Sequence, residues 1–149
     1  MKGWGRGRFG LRRDREGWYA ALVIEVVCAV IVRGDSVLLC RRQEGVHLAG
    51  HWEFPGGKVE GTETRREALA REIREELACE VEIAEALGGV EHQYPEVKSL
   101  LHPFLCTIPH GEPQAIEHEE IGWFGADEVR ALGLAGADQE VWRRFACQQ

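Results

Sequence analysis

No stretch of the chain is long and apolar enough to span a bilayer. The most apolar run, Leu22 to Val32, is eleven residues and is interrupted by Glu25. A basic head before such a run resembles an export signal, but Glu25 and the lack of a small-residue cleavage site argue against it. Positive charge is also short. Eighteen Lys and Arg stand against 25 Asp and Glu, a formal net of -7, which disfavours a stable complex with a nucleic-acid backbone. There is no C-x-x-C. The five cysteines, Cys28, Cys40, Cys79, Cys106 and Cys147, are scattered, which fits small core residues of a reduced, cytoplasmic protein rather than a zinc site or a disulfide framework. Repeats and low-complexity tracts are absent. Methionine occurs only at Met1.

What remains is 149 residues with 44% hydrophobic and 29% charged side chains, enough for one globular domain with a single core. Residues 1–21 are rich in Gly and Arg and lack periodicity. They are expected to form a basic, flexible arm ahead of one domain over 22–149.

Leu22 to Val32 is β-branched and predicts a buried strand, with Arg33-Gly34-Asp35-Ser36 as the turn to a returning strand over Ser36–Arg42. Trp52-Glu53-Phe54 predicts a short extended piece ending at Pro55. Gly56-Gly57 follows, where the backbone turns freely. Thr64 and Glu67 have the spacing of a capping box, and Leu69, Ile73 and Leu77 recur every four residues, so a helix is expected from about Thr64. Further strands are expected over Val81–Gly89, Gly88–Tyr94, Ser99–Ile108 and Ile121–Phe124. Pro103 marks the third as an edge strand or a bulge. Helices are expected over Ala126–Leu132 and Asp138–Cys147. Mixed strands and helices indicate an α/β or α+β layered domain.

Glu72, Glu75 and Glu76 occupy one helix face, beside the apolar stripe. Like charges at these spacings repel, so something positive must offset them. Arg71 and Arg74 supply part, which alone would make an ordinary salt-bridged face. A divalent cation is the other solution, because Mg²⁺ takes hard carboxylate oxygens and bridges to phosphates. The residues upstream favour the cation: a Gly-Gly turn that lets the backbone approach an ion or a phosphate, then Glu63, then the capped helix.

This array resembles the Nudix hydrolase signature. It maps without gaps onto Gly57, Glu63, Arg71, Glu72, Ile73, Glu75, Glu76, Ala78 and Cys79. Ala78 stands where the family has Gly, and Cys79 where it has an aliphatic residue. Beyond the signature, Arg41-Arg42, His47, Trp52 to Glu60, Gly111-Glu112-Pro113 and Glu117 to Trp123 resemble the MutT branch.

The resemblance implies an α/β/α sandwich with a mixed β-sheet between helices. It also implies Mg²⁺ or Mn²⁺ as cofactor, with ligands Glu72, Glu75, Glu76 and the Gly56 carbonyl. Glu117 is expected to ligate the metal or to act as base, a role Glu75 or Glu76 can also fill. Arg71 is expected to orient the glutamates. The implied reaction is hydrolysis of a nucleoside triphosphate, by attack at the β-phosphorus, to nucleoside monophosphate and pyrophosphate.

Nucleotide-pool sanitising of an 8-oxo-dGTP-type substrate is the first reading, with CTP or modified dCTP as the alternative. A non-catalytic nucleotide-binding Nudix module is a third. Such modules commonly lose signature carboxylates, and this chain has kept all of them. Substrate contacts are expected from Arg42 (a phosphate clamp or a surface Arg), His47, Glu53, Phe54 and Tyr94 (a base wall or core). Asp138 is read as a base reader, a helix cap, or both. Val97, followed by Lys98, stands where MutT relatives often have Arg. The protein is expected to work as a monomer or homodimer away from membranes.

Overall fold

The computed structural model describes residues 8–13, 15–93, 97–134 and 136–148. The described elements are β1 (Arg8–Arg13), β2 (Trp18–Arg33), β3 (Ser36–Arg41), β4 (Trp52–Glu53), β5 (Gly56–Lys58), α1 (Arg65–Leu77), β6 (Glu82–Ala86), β7 (Val90–Gln93), β8 (Val97–Thr107), β9 (Glu120–Phe124), α2 (Ala126–Leu132) and α3 (Ala137–Cys147).

The spine is β2. It pairs in parallel with β8 from Leu22↔Val97 to Ile31↔Cys106. It pairs antiparallel with β1, β5 and β3. The sheet is therefore mixed, and its path runs β4-β3-β2-β8-β6. Alternation along β2 divides the core. Val27, Ala29 and Ile31 join Leu38, Cys40, Leu69, Ile73 and Leu77 beneath α1. Cys28 and Val30 join Val37, Leu39, Val129, Val141 and Phe145 on the face covered by α2 and α3. Helices on both faces explain why Leu22–Val32 reads as a continuous apolar run. Two helix layers around a mixed sheet make the expected α/β/α sandwich.

α1 follows its sequence signals. Thr64 caps it, accepting from the Glu67 N–H, and the Glu67 side chain returns to the Thr64 N–H. Leu69, Ile73 and Leu77 are fully buried, each contributing on the order of 1.5–3 kcal/mol. Ala78 closes the helix at φ 52°, ψ 38°, the left-handed conformation in which Gly is favoured.

The basic segment differs from its reading. Arg8–Arg13 pairs with Trp18–Val23, and β2 runs unbroken through residues 21 and 22, where the boundary between arm and domain was drawn. The described part of 8–21 thus contributes strand pairing to the sheet. Ladder pairing needs only backbone N–H and C=O groups, so an aperiodic composition does not reveal it.

For Pro103 the second of the two expected settings holds: β8 is an interior strand, and the proline sits beside an irregularity in its pairing. The Pro103 carbonyl accepts from the Leu87 N–H at 2.9 Å, on the side where β6 and β7 meet. Its missing N–H faces that same side, where β7 pairing stops at Leu101 and β6 pairing resumes at Phe104. A register shift between Ile83 and Ala86 accompanies the gap.

Four cysteines are shielded to different degrees. Cys28, Cys40 and Cys106 are buried and Cys79 is half-buried, whereas Cys147 is exposed. Burial pushes the Cys28 and Cys40 thiols well above the usual range, and Cys106 to about 12.

The left-handed Ala78 carries a conformational penalty of about 1 kcal/mol. Ala78→Gly is expected to raise unfolding stability by about that amount, read from the urea midpoint at constant m-value. Catalytic rate should not change, since no functional side chain moves.

Candidate active site

Two glycines bring the strand layer against the acidic helix. Neither Gly56 nor Gly57 has a positive φ. Their value is close approach rather than a free turn. A Cβ on Gly56 would lie 2.0 Å from the Val27 carbonyl oxygen. One on Gly57 would lie 2.4 Å from the Glu72 carboxyl carbon. β5 is thus laid flat on β2, at Cys28↔Gly56 and Val27↔Gly57, with the Glu72 carboxylate pressed onto it from α1.

Arg71 organises the carboxylates. It holds Glu63 through two bonds, Nε to Oε2 at 2.6 Å and Nη2 to Oε1 at 2.9 Å. Its Nη1 donates to Glu72 at 2.9 Å and to Glu75 at 3.4 Å, and Nη2 donates to the Lys58 carbonyl at 3.1 Å. Glu60 lies at 3.8 Å. One guanidinium therefore meets four carboxylates. Its hydrogen bonds hold Glu63 below the usual carboxylate range, against a smaller opposing effect of burial. The same pairing raises Arg71, which stays charged.

The three helix glutamates differ in setting. Glu72 is fully buried and Glu76 nearly so, while the Glu75 side chain is 41% exposed. Glu76 accepts from the Gly56 N–H at 3.1 Å. Among the described residues, no group of three His, Cys, Asp or Glu side chains is already gathered at metal-binding spacing. Glu72 is turned onto Arg71 and Glu76 onto Gly56. The donor set nevertheless fits a hard cation: four carboxylates, buried Glu72 among them, crowd one guanidinium, and a second buried carboxylate, Glu76, rests on the Gly56 N–H.

Glu117 lies in the segment between β8 and β9, exposed at the C-terminal end of α1. The Ile116 N–H donates to the Glu76 carbonyl at 3.1 Å, and the Glu119 N–H to the Arg41 carbonyl at 3.0 Å.

A second polar group stands at β4. Glu53 accepts from Arg42 Nη1 at 3.1 and 3.2 Å and contacts His118 Nε2 at 3.0 Å. Arg42 Nε donates to the His47 carbonyl at 2.6 Å. Arg42 is thus engaged with Glu53, and His47 contributes its carbonyl while the residue itself is exposed. Phe54 is buried in the core beneath α2 and α3. Its N–H donates to Asp138 Oδ1 at 3.4 Å. Tyr94 lies outside the described residues.

Asp138 does not cap α3. The cap position is Gly136, with no side-chain cap bond, and Asp138 sits inside the first turn facing Phe54. Burial first, and then the negative charge of Glu53, raise its carboxyl to about 7, against the Phe54 N–H and Arg42. An ionised carboxylate only accepts, whereas near neutrality a large share of the molecules carry the proton and can also donate. Sequence reasoning missed His118, although it belongs to the quoted Glu117–Trp123 run. No periodicity or charge pattern sets it apart, and only the fold brings it to Glu53.

A NUDIX domain model matches residues 26–144. The chain belongs to the Nudix family. It is 41% identical over 125 residues to a CTP pyrophosphohydrolase of Escherichia coli, covering 83% of this chain and 91% of that protein. It is 38% identical over 117 residues to a putative 8-oxo-dGTP diphosphatase 2 of Mycobacterium tuberculosis, covering 76% of this chain and 82% of that one. The crystal structure of a MutT Nudix hydrolase from Burkholderia pseudomallei superposes with a TM-score of 0.72 at 31% identity. That match covers 82% of this chain and 97% of that one.

The two glycines should separate on mutation. Gly56→Ala meets backbone and is expected to cost stability, by several degrees in Tm. Gly57→Ala meets the buried Glu72 carboxylate. It should lower kcat about tenfold or more with a smaller fall in Tm, because a carboxylate displaced from the acidic cluster is felt in the rate. Steady-state kinetics and thermal melts of both variants check this.

The Arg71–Glu63 pair has an acid signature. Glu63's folded pKa is depressed, so its contribution is fully present above the ordinary glutamate range. It is lost as pH falls through the depressed value. Arg71→Gln should flatten that part of the acid limb in a Tm-against-pH series from pH 6 to pH 2.5.

Proposed function

We propose that the protein hydrolyses a nucleoside triphosphate to nucleoside monophosphate and pyrophosphate, using Mg²⁺ or Mn²⁺, in the cytoplasm. The substrate is an oxidised purine nucleotide of the 8-oxo-dGTP type. The observation that carries this reading is the crowding of Glu60, Glu63, Glu72 and Glu75 on Arg71, with Glu76 against Gly56. Glu72, Glu75, Glu76 and the Gly56 carbonyl would hold the metal, with Glu117 reaching it from its loop. When bound, the cation offsets phosphate charge and makes water a better nucleophile.

The chain's own groups divide the remaining work. Buried Glu72 and Glu76 suit fixed ligands. Glu75 and Glu117, which reach solvent, suit acceptance of the attacking water's proton. Arg71 keeps Glu72 and Glu75 aimed. Asp138 and Glu53, close enough to influence each other's charge, would read the base. Protonated Asp138 donates to a purine carbonyl, and ionised Asp138 accepts from ring N–H or amino groups. The 8-oxo-guanine edge presents both.

CTP is the second reading. It is favoured by the 41% identical relative named for that substrate and by the match of ionised Asp138 to the cytosine amino group.

Incubation with Mg²⁺ and dGTP, 8-oxo-dGTP, CTP, dCTP or 5-methyl-dCTP, resolving pyrophosphate from phosphate, tests both. Pyrophosphate, with the highest kcat/KM on 8-oxo-dGTP, is expected. CTP in first place transfers the assignment to the second reading, and phosphate as the only product ends both. Because Asp138 is protonated below about 7 and ionised above it, the preference for 8-oxo-dGTP over CTP should fall as pH rises through that value. Asp138→Asn should abolish the step.

A further inference from the structure

The segment between β8 and β9 has no regular structure around Glu117, yet it is fixed at three backbone points. The Gln114 N–H donates to the Leu77 carbonyl at 2.8 Å, the Ile116 N–H to Glu76 and the Glu119 N–H to Arg41. The first two satisfy carbonyls of the last helical turn, which have no intrahelical partner. Beside Glu117, the His118 side chain turns inward. His118 is 9% exposed, and its Nε2 lies 3.0 Å from Glu53 Oε1. A carboxylate only accepts, so Nε2 carries the hydrogen. Nδ1 is buried and meets no hydrogen-bond partner among the described residues. The imidazole is thus committed to Glu53 alone. Glu53 is clamped from its other side by Arg42, and the next residue's N–H reaches Asp138.

We propose that His118 is a positioning residue that holds Glu117 beside the glutamates of α1 and, through Glu53, ties that placement to the base cleft. The proposal rests on the pyrophosphohydrolase reading. Bonded or adjacent groups run without a break from Glu117 through His118, Glu53 and Phe54 to Asp138. A base that shifts Glu53 or Asp138 therefore pulls on the loop that supports the chemistry, so discrimination appears in kcat as well as in KM.

The test uses the full chain with His118→Ala, His118→Gln, Glu53→Gln and the His118→Ala/Glu53→Gln double variant. kcat and KM are measured with Mg²⁺ on 8-oxo-dGTP and CTP, and Tm is measured for each protein. His118→Ala should lower kcat about tenfold or more and change the ratio of the two kcat/KM values at least about fivefold, while Tm stays within a few degrees. The Gln amide can donate to Glu53, so His118→Gln should recover most of both. The double variant should lose no more than the worse single one.

Amide hydrogen exchange supplies a readout without turnover. In metal-free protein, exchange at 114–119 should rise in His118→Ala and not in His118→Gln. An unchanged kcat and ratio, equal damage from Ala and Gln, or additive losses overturn the proposal. If the wild type releases no pyrophosphate, the functional reading has failed on its own. Exchange then still judges the tether, and unchanged protection over 114–119 in His118→Ala sinks it.

Discussion

The Arg71 guanidinium is the constraint on which the site depends. Its planar fork reaches Glu63, Glu72, Glu75 and the Lys58 carbonyl together, joining α1, the loop before it and the end of β5. An ammonium could not serve so many directions from a fixed plane. The surplus of carboxylates leaves the cluster negative, and that surplus makes a cation welcome. Glu72 stands at the crossing point, between Arg71 and the bare Cα of Gly57. A Cβ at Gly57 would displace that carboxylate, so glycine and the Glu72 position are tied to each other.

The sheet delivers these groups because β2 serves two roles at once. Its odd-numbered residues Val27, Ala29 and Ile31 seat α1, and its even-numbered residues Cys28 and Val30 seat the α2–α3 face. The hairpin partner β3 carries Arg41 toward the Glu117 segment and sets Cys40 opposite Glu53 in β4. The Glu117 segment and the Glu53 group are therefore both anchored to β3. Trp52 of β4 and Phe124 of β9, edge to face at 4.9 Å, meet across β3, with which both strands pair.

What could be read from the chain followed the physics of local signals. The capping box, the Leu69-Ile73-Leu77 stripe and the left-handed stop at Ala78 are encoded within a few residues, and α1 has the form they imply. The glutamate face was legible for the same reason. Long-range pairing was not. β1 forms by backbone bonding that leaves no mark in composition, and Pro103 is accommodated by a gap between two partner strands that no single strand reveals. Asp138 shows the same limit. Its cap role is excluded by the Gly136 start of α3, and its proton affinity is raised first by burial and then by Glu53, eighty-five positions away, neither of which local sequence displays. Arg42 looked available for phosphate because its partner Glu53 was not visible as a partner.

The buried cysteines bear on where such a protein can operate. Peroxides attack the thiolate, and a thiol held at about 12, as Cys106 is, presents about one thiolate in 10⁵ at pH 7. Cys28 and Cys40 are suppressed in the same direction, first by burial and then by the acidic groups nearby, Asp138 and Glu53 for one, Glu76 and Glu53 for the other. Burial thus passivates these sulfurs, and the site's carboxylates add to it. A catalyst built this way keeps its interior chemically quiet under the oxidising conditions that damage nucleotides.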